Sequence, residues 1–195
     1  MNKTILLPLL ALAILPVLAF GLVEDDADKI GKQFAANHSG LMMTTHTLEE
    51  DITETEEVKR AELIIEGTIK NVKPFWKIIR EDADPKIYSE FTVKVDDVIK
   101  GEVNGNMIKV VMSGGQLDNV TSITEGTKMK KDNQVILLLA KDPNSVFGDN
   151  YSTISVSKSI YLIDDEFAKN KHEDRSDNKN KVKERISNLD KKNRE

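Results

Sequence analysis

Four residues with metal-ligating chemistry fall close together: His38, Met42, Met43 and His46, in a chain that holds three histidines and six methionines. Thioethers are soft ligands suited to Cu(I), and imidazole accepts either copper oxidation state. In a helix, His38, Met42 and His46 would share one face, with Met43 beside it. Asn37, Ser39, Gly40, Thr44 and Thr45 are poor helix formers, so nothing local preorganises such a site. Chance in a disordered spacer accounts for the spacing more readily than a copper site does. No cofactor is expected.

A second candidate is Phe75-Trp76, which places the only tryptophan beside a phenylalanine at a strand end. Neighbouring rings there either form a stacking platform for a sugar or peptide, or plug the end of a barrel. Asp96-Asp97 and Asp164-Asp165-Glu166 are acid clusters without the alternating oxygen spacing and central glycine of a calcium loop, and read as solvated turns. Gly114-Gly115-Gln116 matches the tripeptide of peptide-release factors, but reads here as a strand-ending turn in which glycine supplies positive φ. No serine sits in a nucleophile elbow, and no carboxylate pair points to glycosidic chemistry. The sequence therefore carries no catalytic constellation. Three sequons, at Asn37, Asn119 and Asn150, are candidate glycosylation sites if the host glycosylates.

The N-terminus decides where such residues would work. Lys3 precedes an uncharged apolar run from Ile5 to Phe20, and Ala19-Phe20-Gly21 offers small residues at the positions a signal peptidase reads. This predicts a secretory signal over residues 1–21. The rival is an uncleaved anchor, since the uncharged stretch to Val23 is long enough to span a bilayer. Pro8 and Pro16 weaken it as one straight helix. Either way Lys3 before the segment and Glu24, Asp25 and Asp26 after it place the body outside, secreted or held at the cell surface. With no cysteine, the chain uses no disulfides and carries no lipid-bearing cysteine.

Charge divides the remainder. Residues 22–60 hold ten acidic and four basic side chains, residues 61–165 sixteen and thirteen, and residues 166–195 seven and ten. A nearly balanced core between an acidic arm and a basic-leaning tail lacks the strong basic face of a nucleic-acid binder. Residues 22–54 read as a flexible acidic arm with little apolar periodicity. Residues 166–195 read as a charged tail, mostly coil, with Val182, Ile186 and Leu189 spaced for a short helix.

Between them, residues 55–165 read as one domain. A short helix is predicted from about residue 54 to 62, capped by Thr53 or Thr55, with Val58 and Ala61 facing the core. Leu63, Ile65, Gly67 and Ile69 alternate as a half-buried strand. Ile87, Ser89, Phe91, Val93 and Val95 alternate likewise, but the next apolar residue is Val98, a parity slip that predicts a β-bulge at Asp96-Asp97. Ile108, Val110 and Met112 mark a third strand. Gln116 to Asn133 reads as a polar loop. Gln134 to Ala140 is apolar on both faces and reads as a covered central strand. Ile154, Val156, Ile160, Leu162 and Ile163 mark one or two closing strands.

The segments Ala61-Glu62-Leu63-Ile64-Ile65-Glu66-Gly67-Thr68-Ile69, Phe91-Thr92-Val93-Lys94-Val95 running into Val98-Ile99-Lys100-Gly101, and Gln134-Val135-Ile136-Leu137-Leu138-Leu139 together resemble netrin-like domains of the tissue-inhibitor-of-metalloproteinase type. They also resemble uncharacterised exported microbial proteins of the same layout. The similarity spans about residues 55–165. It implies a mainly β fold with an OB-like closed barrel of five to six strands; a β-sandwich fits the strand pattern too. The family's inhibitory activity does not carry over, because it depends on a disulfide-fixed N-terminal cysteine. The expected function is a non-enzymatic module that binds an extracellular protein or glycan, with Gln116 to Asn133 among the contact loops. Nucleic acid is not an expected partner, and a membrane is one only if the first segment stays uncleaved. Two alternatives remain: an extracellular hydrolase assembled in three dimensions, and a structural cell-surface component.

Overall fold

The structure, a computed structural model, describes residues 23–45, 52–80, 83–141, 146–171 and 176–194, with side chains from residue 26 onward and to residue 44 in the first segment. The expected signal or anchor segment lies outside the described residues. Among those described, no helix is long and apolar enough to cross a membrane.

In chain order the elements are α1 (Val23–Asn37), β1 (Met42–Thr45), α2 (Glu54–Arg60), β2 (Leu63–Lys77), β3 (Lys86–Lys100), β4 (Met107–Ser113), β5 (Gly115–Leu117), β6 (Val120–Thr124), β7 (Gln134–Lys141), β8 (Tyr151–Thr153), β9 (Ile160–Asp164), β10 (Phe167–Lys169), β11 (Asp177–Asn178) and α3 (Lys179–Arg194). The fold is mainly β, with helices at both ends. β2 and β3 are long antiparallel partners, and β3 pairs antiparallel with β4. β4 pairs parallel with β8, β8 antiparallel with β7, and β7 antiparallel with β2. The pairings β2–β3–β4–β8–β7 thus return to their start. The far edge of β7 is shared, its later half with β8 and its earlier half with β9, from which β10 and β11 extend the sheet. A second sheet of three short strands runs in the order β1-β6-β5.

The expected bulge is present: Gly67 pairs with Val95 and Glu66 with Asp97, which leaves Asp96 without a cross-strand partner. Two further register shifts lie between Ile64 and Ile65 and between Ile69 and Asn71. Each adds local twist and bends the strand. At Gly67 the strands come so close that a Cβ would lie 2.5 Å from the Lys94 carbonyl oxygen, so no larger residue fits.

The apolar run in β7 is covered on both faces, as its composition implies. Val135, Leu137 and Leu139 join Leu63, Ile65, Ile69, Val93 and Val110 in one buried cluster. Ile136 and Leu138 face the other way and pack with Ile64, Val58, Val182 and Ile186 under α2 and α3. Each fully buried aliphatic side chain contributes about 1.5–3 kcal/mol.

α2 is too short to stand alone. Thr53 caps it by accepting from the Glu56 N–H, and the Lys100 ammonium donates to the carbonyl of Val58, 2.7 Å away, at its other end. The tail differs from the expected coil. Residues 167–169 and 177–178 extend the sheet, and the short helix expected near Val182 runs the full length of α3. Burial of Val182 and Ile186 and a set of ion pairs hold it. Lys183 sits 2.6 Å from both Glu66 and Asp97, Lys179 is 2.8 Å from Glu66, and Lys100 is 3.2 Å from Asp190. Burial works against a charged Glu66, yet the ammonium groups of Lys179 and Lys183 hold its pKa below the ordinary carboxylate value.

The expected acidic arm over residues 22–54 is also corrected. Its described part forms α1 and β1, which dock rather than trail. β1 pairs parallel with β6, Met42 opposite Thr121. The loop expected from Gln116 to Asn133 contains β5 and β6 for the same reason: its Thr- and Ser-rich residues find a partner strand almost eighty positions earlier in the chain.

Candidate binding surface

Phe75 and Trp76 occupy successive positions of β2, so their side chains leave opposite faces. Trp76 is buried beneath α1, in a cluster with Ala35, Ile87 and Val120. Phe34 meets its ring edge-on at 6.1 Å, and its Nε1–H donates to Asp118 Oδ2 at 2.9 Å. Its apolar surface and its one polar atom are therefore both committed to the fold. The expected pairing of Phe75 with Trp76 as a platform is corrected.

Phe75 belongs to a different set of rings. It lies opposite Tyr88 of β3, with centroids 6.1 Å apart and planes 31° apart. Tyr88 in turn meets Phe147, from the β7–β8 connection, at 5.0 Å and 55°. The three rings form a row drawn from two strands and a loop. The central ring is buried, and that burial pushes the Tyr88 phenol pKa upward. The two outer rings are partly exposed. Tyr88 falls within the strand expected from Ile87 to Val95, but its register with Phe75 and the approach of Phe147 appear only in three dimensions.

Three of the four candidate copper ligands lie among the described residues. His38 lies just past the C-terminus of α1, stacked on Phe34 at 4.4 Å, with Nδ1–H donating to the Phe34 carbonyl at 2.9 Å. Met42 and Met43 lie on a strand rather than a helix and point to opposite sides. Met43 packs toward Trp76, whereas Met42 is 65% exposed. His46 lies outside the described residues. No group of three or more His, Asp or Glu residues that could hold a metal ion occurs among the described residues.

The acid clusters have other work. Asp96 receives Lys94 Nζ at 2.9 Å and Thr68 Oγ1 at 2.8 Å, and the Lys94 hydrogen bond draws its pKa below the usual carboxylate value. Asp97 accepts from Lys183. Asp164, Asp165 and Glu166 form the exposed turn from β9 to β10, with Asp165 at a φ of 52°. Gly114 and Gly115 turn the chain from β4 into β5 with φ of 100° and 140°, the strand-ending role expected of them. Of the sequon asparagines, Asn37 ends α1 and is exposed, Asn119 is exposed in the β5–β6 turn, and Asn150 is half-buried before β8.

Two cavities share one wall, the segment Gly126-Thr127-Lys128. The larger, about 850 Å³, opens toward the β9–β10 turn and Phe167. The smaller, about 530 Å³, lies over Phe91 and Met112 beneath the β5–β6 hairpin. Both are within the size range of ligand pockets. Neither was signalled by the sequence, because their walls come from segments far apart in the chain.

No protein-family model matches this chain, and no curated protein sequence matches it.

Proposed function

We propose that this chain is an exported, non-enzymatic binding module with an OB-like barrel, and that the row Phe75–Tyr88–Phe147 is its contact surface. The barrel reading is supported by the closed circuit of five strand pairings and the three register shifts along β2 and β3. A β-sandwich would leave its sheets with free edges instead.

The single observation that carries the binding reading is the row itself. Two partly exposed rings flank a buried one, drawn from β2, β3 and the β7–β8 connection. Flat aromatic faces cover the apolar C–H face of a sugar ring or an apolar side chain at little entropic cost. Phe75 and Phe147, on either side of the buried Tyr88, supply the accessible apolar surface. We assign the partner as an extracellular glycan, with an extracellular protein as the second reading. The hydrolase alternative gains no support, since the acid clusters are engaged by lysines or spread along an exposed turn.

Binding of the purified protein to the surface of its host cells tests this. Mild periodate, which cleaves the vicinal diols of sugars, should abolish binding, and surface proteolysis should not. Retention after periodate with loss after proteolysis would transfer the role to the protein reading. No binding under any treatment would end both.

A further inference from the structure

The smaller cavity carries a second ligand chemistry, independent of the aromatic row. Its floor is apolar: Val72, Phe91, Met112 and Met129 all belong to, or pack against, the cluster inside the strand circuit. Along Thr127–Lys130 burial alternates, so Thr127 and Met129 face inward while Lys128 and Lys130 are exposed at the rim. Two ammonium groups and one carboxylate, Glu125, are the ionic side chains of the lining. Neither lysine forms an ion pair or hydrogen bond through its side chain among the described residues. On the same wall the Thr127 hydroxyl is buried, 9% of the residue being exposed, and its Oγ1 has no hydrogen-bond partner among the described residues. A buried hydroxyl without a partner is costly and uncommon. A ligand that supplies an acceptor removes that cost.

We infer that this cleft binds a single-chain amphipathic anion, an acyl carboxylate, with its hydrocarbon over Phe91 and Met112 and its head at the Lys128–Lys130 rim. The apolar floor excludes a simple inorganic anion as the preferred ligand, because such an ion would leave that surface wet. The excess of lysine over glutamate at the rim selects against a cationic head. The carboxylate also accepts the hydrogen bond that Thr127 has to donate.

Displacement of a fluorescent polyene fatty acid from the purified protein tests the assignment, with laurate, dodecanol and dodecylammonium as competitors below their micellar concentrations. Laurate should compete at least ten-fold better than dodecylammonium, with dodecanol between them. The double substitution Lys128→Glu/Lys130→Glu, on exposed side chains, should weaken laurate at least ten-fold and leave the melting temperature in place. Met112→Trp should block the probe; if that variant fails to fold, the charge-reversal pair decides alone. Absence of probe binding, equal competition by laurate and dodecylammonium, or unchanged laurate binding by the charge-reversed protein would each overturn the inference.

Discussion

Gly31 of α1 lies against the indole of Trp76 so closely that a Cβ at Gly31 would sit 2.1 Å from Trp76 Cγ. The helix approaches the sheet at this depth because one residue on its inner face has no side chain, with Ala27 and Ala35 buried along the same helix. Helix propensity alone disfavours glycine there, so close packing outweighs it. Gly31→Ala should cost about 1–3 kcal/mol by overpacking. Trp76 is the only tryptophan, so its emission reports α1 directly. Denaturant unfolding followed by fluorescence should give a lower midpoint and a red-shifted native spectrum. Unchanged values for both would mean that α1 does not seat on Trp76.

The buried strand gives a second expectation. Leu137 is fully buried in β7, and Leu137→Ala should cost about 2–5 kcal/mol through lost methyl groups and the cavity left behind. Phe167 is 53% exposed, and Phe167→Ala should change stability by no more than about 0.5 kcal/mol. Equilibrium unfolding of the two variants provides the comparison. A loss under about 1 kcal/mol at Leu137 would remove β7 from the centre of the core.

Glu66 ties stability to pH. Its pKa is lowered in the folded protein, so its stabilising contribution is fully present above the ordinary carboxylate value and is lost as pH falls through the lowered one. Lys183, raised by Asp97 and Glu66 against the opposing effect of burial, contributes at all pH values below the ordinary ammonium value and loses that contribution as pH rises through the raised one. The difference in melting temperature between the parent and Glu66→Gln should be constant near neutrality and shrink in acid. A difference that grows as pH falls would contradict the Lys179–Glu66–Lys183 anchorage of α3.

Export leads to a fourth expectation. Protein recovered from outside host cells should have a mass that places its N-terminus near Leu22, directly before α1. Recovery from the cytoplasm with Met1 intact would contradict the export reading.

Where sequence reading succeeded, the signal was local and repeated. The parity slip from Val95 to Val98 located the bulge at Asp96, and the two-sided apolar run of Gln134–Ala140 located a strand covered on both faces. Thr53 and the acidic first turn located α2. The failures share a cause. α1 is held by small residues, Ala27, Gly31 and Ala35, which carry little hydrophobic signal but allow close approach to Trp76. β5 and β6 are polar and short, and their pairing depends on β1, distant in sequence. The same absent information hid the candidate surface. Phe75 was visible, but its neighbours Tyr88 and Phe147 are set by strand register and by a loop. Trp76 is the only tryptophan, yet its position next to Phe75 places it on the opposite, buried face.

The role of the aromatic row is tested most directly by binding of Phe75→Ala/Phe147→Ala to isolated host surface glycan, measured by titration calorimetry beside the parent. Both rings are only partly exposed, so the native emission of Trp76, which lies on the other face, is recorded first to establish that the variant is folded. We expect an affinity at least ten-fold lower, about 1.4 kcal/mol or more. A folded variant that binds the glycan as tightly as the parent would contradict the assignment of this surface.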